Sequence, residues 1–273
     1  QGVRRLNPSL GEGIVVVGLG LIGQITIQLL RASGCRVYGI DLNKQRIKDA
    51  LVNGAKKAFR PSEISNLEKI DEELYPLGVD GVIITAGSSS DEIISQAFQM
   101  CRRKGRVVIT GDIGLNLNRS DFYAKEIDVL ISCSYGPGRY DNRYEEKSID
   151  YPLPYVRWTE NRNIDEYLKL ISEKRISITD FIKNQIEINN SDKIYSINED
   201  FQYTTIINYS ANDNISSNIE SQKIEKVTEL TKADGIGIIG VGNFAKLKVL
   251  PNIIKYSGKK NIKALVTKNG FSA

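Results

Sequence analysis

Short apolar runs alternate with amphipathic stretches along the first half of the chain, which predicts strands and helices in turn. Runs typical of strands covered on both faces lie at Gly13–Gly18, Arg36–Ile40, Val79–Thr85, Arg106–Thr110 and Val129–Ser134, with a weak strand near Ala58-Phe59. Helical spacing is found at Leu21–Ala32, Lys44–Val52, Ser62–Leu74 and Asp91–Cys101. Because the connections are short, we predict an α/β fold with a doubly wound parallel sheet and right-handed crossovers.

A glycine-rich turn, Gly18-Leu19-Gly20-Leu21-Ile22-Gly23, joins the first strand to the first long helix. The spacing G-x-G-x-x-G in this context, with Asp41 ending the next strand, is the dinucleotide-binding fingerprint of the Rossmann fold. Gly18 permits the tight turn, Gly20 the approach of a pyrophosphate, and Gly23 close helix–strand packing. Asp41 would accept hydrogen bonds from a ribose diol and repel a 2′-phosphate, which favours NAD over NADP. A glycine-rich turn without a ligand is the alternative.

Small residues after two later strands extend the predicted site, because ligands of open α/β sheets bind beyond the carboxyl ends of the strands. They could also be simple tight turns. The complete set of predicted cofactor-binding residues in this region is Gly18, Gly20, Leu21, Ile22, Gly23, Asp41, Arg46, Thr85, Ala86, Gly87, Gly111 and Asp112.

The composition changes between Ser134 and Asn163, where glycine, proline, tyrosine and arginine dominate. Long ordered loops of this kind are functional or act as linkers, and arginine beside aromatic rings can clamp an anionic or sugar-like ligand. An aromatic surface segment or an oligomer contact is the other interpretation. The substrate-binding candidates are Tyr135, Arg139, Tyr140, Arg157, Trp158 and Arg162. Asn163 is predicted to cap a helix that runs to about Lys174.

An irregular α+β segment and a second fingerprint follow. Within Ile176–Tyr209 we predict a weak strand or turn, a short helix near Asp192–Ile197 and a strand Tyr203–Tyr209. The strand Gly235–Ile239 then leads into G-x-G-x-x-A, with Gly240, Gly242 and Ala245 as predicted cofactor contacts. The next strand ends in Thr267-Lys268 without an acidic residue, so this second site could take NAD or NADP.

Two strands and one helix cannot cover both faces of a sheet, so the last segment is predicted to be the truncated start of a second Rossmann domain. The predicted division is an NAD-binding domain at 1–135, a loop-rich return segment at 136–209, a linker at 210–233 and the truncated start at 234–273.

The composition narrows the classes of function that this chain could have. The 273 residues carry 37 Lys and Arg against 33 Asp and Glu, a net charge of +4 that does not indicate a nucleic-acid or membrane surface. There is no histidine, and the three cysteines (Cys35, Cys101, Cys133) have no paired spacing, so no metal site or disulfide is predicted. We expect a cytoplasmic protein with a small-molecule substrate, no nucleic-acid or membrane partner, and a homo-oligomeric state left open.

Several motifs follow one another in an order that resembles the cofactor half of the medium-chain (zinc-type alcohol dehydrogenase-like) dehydrogenases. They are Gly18–Gly23, Asp41, Gly54-Ala55, Thr85-Ala86-Gly87, Gly105–Gly111 and Ser134-Tyr135-Gly136. The stretch Ser134–Asn163 resembles a bacterial subfamily in which such a dehydrogenase is fused to a second oxidoreductase. Gly235–Ala273 resembles the start of that partner, of the glucose–fructose oxidoreductase and inositol dehydrogenase family.

The resemblance implies an NAD-dependent oxidoreductase that moves hydride to or from a hydroxyl or carbonyl carbon of a polar, sugar-like substrate. It also implies that the catalytic residues, and any zinc, belong to parts of the enzyme that this chain does not contain. The catalytic residues therefore stay unassigned, and the chain alone is expected to bind cofactor without turnover. Tyr203–Tyr209 is expected to be exposed or poorly anchored. A non-catalytic NAD(H)-binding sensor or scaffold is the rival hypothesis.

Overall fold

The structure, a computed structural model, describes residues 1–63, 77–196, 203–209, 235–242 and 244–267. It divides the chain into two compact units, Gln1–Ser210 and Ala211–Ala273, which are described separately. The finer division within these units stays a prediction. Most of the predicted helix Ser62–Leu74, the linker at 210–233, Asn243 and Lys268 lie outside the described residues.

The first unit is built on a parallel sheet of six strands in the order β3-β2-β1-β4-β5-β6. The strands are β1 (Gly13–Val17), β2 (Arg36–Ile40), β3 (Lys57–Phe59), β4 (Val79–Ile84), β5 (Cys101–Ile109) and β6 (Asp128–Ile131). The helices are α1 (Gly2–Leu6), α2 (Leu21–Ala32), α3 (Lys44–Val52), α4 (Glu92–Met100), α5 (Arg119–Phe122), α6 (Asn142–Glu145) and α7 (Glu160–Ser172). The predicted doubly wound parallel sheet is confirmed, and its order reverses between β1 and β4.

Apolar residues bury both faces of this sheet, which is why its strands appear as continuous apolar runs rather than alternating ones. Within β1, Ile14 and Val16 join the cluster beneath α2 and α3, whereas Val15 joins the cluster beneath α4. All three are fully buried. The sheet therefore forms a rigid platform that presents its carboxyl-terminal edge to solvent.

Local sequence determines where several helices begin and end. Asn43 caps α3 by accepting hydrogen bonds from the backbone amides of Gln45 and Arg46. Gly34, with φ of 81°, follows the end of α2 in the left-handed conformation that glycine adopts freely. The predicted cap at Asn163 is wrong: α7 begins three residues earlier, and Thr159 accepts a hydrogen bond from the amide of Arg162. Asn163 instead donates to the carbonyl of Tyr135.

The later part of the predicted return segment, Ile176–Tyr209, contains a second, two-stranded parallel sheet. From here on, the name return segment refers to these residues only. Its strands are β7 (Ile182–Glu187) and β8 (Thr204–Asn208), with a 3₁₀ helix over Ile188–Ser196. The expectation that Tyr203–Tyr209 is exposed or poorly anchored is wrong at Tyr203. Its ring packs edge-on against Phe181, which is 2% exposed, and its hydroxyl donates to Asp49 on α3. Tyr209 is exposed, as expected.

The second unit contains β9 (Ile236–Ile239) and β10 (Ile262–Val266), which pair in parallel, and α8 (Leu250–Ser257), preceded by a π-helical turn at Ala245–Val249. Pro251 lies in the first turn of α8, directly after the π-helical turn, and the helix continues through it. Ile239 and Leu247 remain 85% and 72% exposed. This unit therefore leaves apolar surface uncovered.

No helix in the described part of the chain combines the length and apolar character that crossing a bilayer requires.

The three cysteines differ sharply in accessibility, which gives a direct test of the first unit's core. Cys101 is fully buried and burial raises its pKa to about 12; Cys35 is also buried, and Cys133 is exposed. Because only a thiolate reacts, we expect one thiol to react with Ellman's reagent within seconds in the native chain at pH 8, and all three in denaturant. A second fast thiol in the native chain would contradict this packing.

Candidate functional site

A cleft of about 610 Å³ opens where the strand order reverses, at the carboxyl ends of β1 and β4. Its lining comes from the loops that follow β1, β2, β3 and β4 and from one face of α4. The lining residues are Val17, Gly18, Gly20, Ile40, Asp41, Leu42, Asn43, Arg46, Pro61, Thr85, Ala86, Gly87, Ser88, Ser90, Glu92, Ile93, Gln96 and Met100. We call this cleft the crevice.

The three glycines of the first fingerprint have three different physical reasons to lack a side chain. Gly18 has φ of 89°, and a Cβ there would lie 2.5 Å from the backbone nitrogen of Ala86. A Cβ on Gly23 would lie 2.0 Å from the carbonyl oxygen of Gly18. A Cβ on Gly20 would meet nothing within 4 Å. Gly18 and Gly23 are therefore required by packing, whereas Gly20 keeps a space in the crevice open.

The amino end of α2 faces this open space. Gly20 is its N-cap and provides no side-chain hydrogen bond to the first turn. The first amides of a helix have no partner within the helix, and their aligned dipoles carry partial positive charge. The arrangement is thus a preformed anion site, with the chemistry that a pyrophosphate requires.

Asp41 lies beside the same loop at the end of β2. Its Oδ2 accepts from the amide of Leu19 at 2.6 Å, and its Oδ1 accepts from the amide of Asn43 at 2.8 Å. A carboxylate offers about four acceptor positions, so each oxygen can still accept one more hydrogen bond. Asp41 therefore stiffens the glycine loop and retains the capacity to accept from a ribose diol.

Seven of the twelve cofactor-binding residues predicted for this domain line the crevice: Gly18, Gly20, Asp41, Arg46, Thr85, Ala86 and Gly87. The hydroxyl of Thr85 donates to the carbonyl of Gly18 at 2.5 Å and so joins β4 to the loop. The other five lie around it. Leu21, Ile22 and Gly23 form the first turn of α2, Gly111 packs against the carbonyl of Ala86, and Asp112 is exposed. Their roles stay predictions.

Several crevice residues were not predicted from the sequence, including Asn43, Pro61, Ser88, Ser90, Gln96 and Met100. The run Ser88-Ser89-Ser90 directly follows the small residues after β4, and that continuity was a usable signal. Gln96 and Met100 lie on α4, and only the packing of that helix brings them to the crevice.

The six predicted substrate-binding residues do not line the crevice. Arg162 donates to the carbonyls of Val156 and Tyr151, and Arg139 pairs with Glu145. Trp158 lies against two guanidinium groups, 3.4 Å from that of Arg4 and 4.0 Å from that of Arg157. Tyr135 and Tyr140 are exposed, and the guanidinium of Arg139 lies near both rings. The guanidinium groups of Arg139, Arg157 and Arg162 thus contact residues within Ser134–Asn163. A role of these residues in binding substrate stays a prediction.

The second fingerprint shares two local features with the first, on a much smaller sheet. Gly240 has φ of 80°, and its amide donates to the carbonyl of Val266 at 2.8 Å. A Cβ on Gly242 would meet nothing within 4 Å, and Ala245 is buried. Two strands supply only part of a dinucleotide crevice, so cofactor binding by Gly240, Gly242 and Ala245 stays a prediction.

Metal ligands are not gathered anywhere in the part of the chain that the structure describes: no three Cys, Asp or Glu residues come close enough to hold an ion. Histidine is missing from the whole sequence. The described residues therefore do not fit a catalytic zinc ion.

Comparison with known proteins agrees with the geometry of the first unit. The family described as zinc-binding dehydrogenase matches residues 22–149. This segment is similar to the cofactor-binding portion of that family. The match covers the sheet from the first turn of α2 to β6 and continues past α6, so the resemblance to the cofactor half of medium-chain dehydrogenases is confirmed for this part of the chain.

Individual relatives match over longer parts of the chain. D-guloside 3-dehydrogenase of Escherichia coli K12 is 28% identical over 202 residues, 71% of this chain and 53% of the relative. D-xylulose reductase A of Aspergillus oryzae is 28% identical over 144 residues, 50% of this chain and 40% of the relative. The solved alcohol dehydrogenase of Thermus sp. ATN1 aligns with a TM-score of 0.59 and 16% identity over 77% of this chain and 54% of that one. The chain spans about half the length of these proteins or less.

Proposed function

We propose that the first unit is the NAD-binding part of an oxidoreductase that transfers hydride to or from a hydroxyl or carbonyl carbon. The observation that carries this proposal is the open position beside Gly20, at an uncapped helix terminus and next to the Asp41 carboxylate. That combination suits a pyrophosphate and a ribose diol together. The match to dehydrogenases over residues 22–149 supports it.

In this proposal NAD supplies the hydride chemistry, as nicotinamide cofactors do in general. The chain's own residues bind and orient it. The first amides of α2 hold the pyrophosphate, Asp41 accepts from the adenosine ribose, and the small residues after β4 leave room for the dinucleotide. None of the described residues is assigned a proton-transfer role, so we expect this chain to bind NAD without measurable turnover.

We further propose a polar, sugar-like small molecule as substrate. The support is that a relative matching 71% of this chain is a D-guloside 3-dehydrogenase. The fused second oxidoreductase also stays a proposal, supported by the parallel pair β9–β10 and the fingerprint between its strands. A cytoplasmic location and the absence of nucleic-acid and membrane partners remain predictions.

Replacing Asp41 with asparagine tests the cofactor assignment. The variant keeps an acceptor for the Leu19 amide but removes the charge that repels a 2′-phosphate. We expect NAD to bind about tenfold more weakly, a change of ~1.4 kcal/mol, and NADP to bind more tightly than it does to the original chain. Calorimetric titration with both dinucleotides measures this.

The matched control is Asp128→Asn, which removes one exposed carboxylate at the amino end of β6, the edge of the sheet opposite the crevice. It should leave both affinities within twofold, about 0.4 kcal/mol. An unchanged NAD to NADP preference in Asp41→Asn would overturn the role given to Asp41. No NAD binding by the original chain would overturn the proposed function itself.

A further inference from the structure

Gln24, one residue beyond the fingerprint, is fully buried and makes an unusual number of contacts for one side chain. Its Nε2 lies 3.1 Å from the carbonyl oxygen of Leu19 and 2.8 Å from that of Arg46. Its Oε1 accepts from the side-chain amide of Asn53 at 2.9 Å. One amide thus ties the glycine loop to both ends of α3.

Leu19 is consequently held through both of its peptide groups. Its amide, in the Gly18–Leu19 peptide, donates to Asp41, and its carbonyl, in the Leu19–Gly20 peptide, accepts from Gln24. Each peptide group is planar, so the two bonds restrain one plane on each side of the Leu19 Cα and thereby the backbone angles of Leu19. The second plane lies immediately before Gly20, and its orientation sets the course of the backbone around the open position.

The same amide also reaches the return segment. The hydroxyl oxygen of Tyr203 lies 3.1 Å from the same Nε2, whose two hydrogens are thus shared among three acceptors, and that hydroxyl donates to Oδ2 of Asp49 at 2.8 Å. Burial, followed by the hydrogen bond to Asp49, raises the pKa of Tyr203, so the hydroxyl stays protonated and remains a donor. Tyr203 directly precedes β8.

A second glutamine, one turn further along α2, makes an otherwise similar set of bonds without reaching the loop. Gln28 donates to the carbonyl of Ser177 at 2.9 Å and accepts from its amide at 2.7 Å. It also donates to Oδ1 of Asn53 at 3.1 Å. Both glutamines therefore join α2 to α3 and to the return segment, but only Gln24 contacts a residue of the fingerprint.

We propose that Gln24 is a positioning residue of the dinucleotide site, and that through it Tyr203 of the return segment helps to hold the glycine loop in the conformation that receives the pyrophosphate. The return segment thereby contributes to cofactor affinity although it does not line the crevice. This inference rests on the proposed function of the first unit.

The test compares NAD affinity in Gln24→Met and Gln28→Met, each of which replaces a buried amide by an apolar side chain of similar length. Both should lower the urea midpoint of unfolding, because each leaves buried polar groups unpaired. Only Gln24→Met should weaken NAD binding, by about tenfold in calorimetric titration. Gln28→Met should stay within about twofold of the original chain.

Tyr203→Phe, which removes a single hydroxyl, tests the second half of the proposal and remains informative if Gln24→Met does not fold. We expect it to weaken NAD binding by about threefold in the original chain and not at all in the Gln24→Met background, because coupled residues act non-additively. The two halves of the proposal thus have separate readouts.

Equal NAD affinities in Gln24→Met and Gln28→Met would overturn the positioning role, and an unchanged affinity in Tyr203→Phe would overturn the contribution of the return segment. Both results presuppose that the original chain binds NAD. They therefore leave the proposed function intact, whereas the absence of NAD binding in the original chain contradicts the proposed function first.

Discussion

Replacing Gly20 with valine is expected to abolish NAD binding while the first unit keeps its fold. A side chain at this position meets no protein atom within 4 Å at its Cβ, and the backbone there has φ of −67°, which any residue adopts. The added atoms would occupy the space over the amino end of α2 that the pyrophosphate requires. We expect affinity to fall by at least about a hundredfold, ~2.7 kcal/mol, in calorimetric titration.

The matched variant is Gly242→Val, which places the same side chain at the corresponding position of the second fingerprint, where a Cβ is equally unobstructed. If the crevice of the first unit is the dinucleotide site, this variant keeps the original affinity with a stoichiometry of one. Loss of binding in Gly242→Val together with unchanged binding in Gly20→Val would move the site to the second unit and refute our assignment.

Replacing Gly23 with alanine should lower the stability of the first unit, because the added methyl group disrupts the packing of α2 rather than the space for the ligand. The new Cβ would lie 2.0 Å from the carbonyl oxygen and 2.9 Å from the carbonyl carbon of Gly18, so α2 and the loop must move apart. Overpacking of backbone against backbone costs about 3 kcal/mol or more when neither side can move. Urea unfolding followed by circular dichroism measures this loss.

The sign of the change in the free energy of unfolding tells whether Gly23 is in close contact with Gly18. Within an ordinary helix, glycine to alanine stabilises by about 1 kcal/mol, so a destabilised Gly23→Ala would report the close approach itself. Gly20→Ala is the control three residues earlier, and its free energy of unfolding should stay within about 1 kcal/mol of the original value because no contact opposes the added methyl group. A stabilised Gly23→Ala would show that Gly18 and Gly23 are not in close contact.

The first unit shows how far local sequence signals extend. α2, α3 and β2 have the predicted boundaries, because each is delimited by residues with a strong local preference, such as Asn43 at the start of α3 and Gly34 after α2. The central strand β1 is apolar throughout, as expected of a sheet covered on both faces. The parallel sheet follows from the alternation of strands and helices and the right-handed crossover rule, whereas the order β3-β2-β1-β4-β5-β6 comes from the structure.

In the return segment, local sequence signals do not predict how the chain is anchored to the rest of the first unit. Its strands alternate only weakly between apolar and polar positions, and most of its anchoring to α2 is polar. A hydrogen bond between Gln24 and Tyr203 joins residues 179 positions apart, and one between Gln28 and Ser177 joins residues 149 apart. A buried glutamine has no sequence pattern that distinguishes it from an exposed one.

The sequence by itself determined the parallel sheet, the glycine loop and the acidic residue beside it, because turn geometry, helix capping and apolar periodicity act over a few neighbouring residues. Only the tertiary structure decided which glycine is left free for a ligand and which are needed for packing. It also decided that Thr159 caps α7, that the arginines within Ser134–Asn163 bind residues of that same stretch, and that the return segment is joined to the loop. These outcomes depend on distant residues meeting in space, which only the assembled fold specifies.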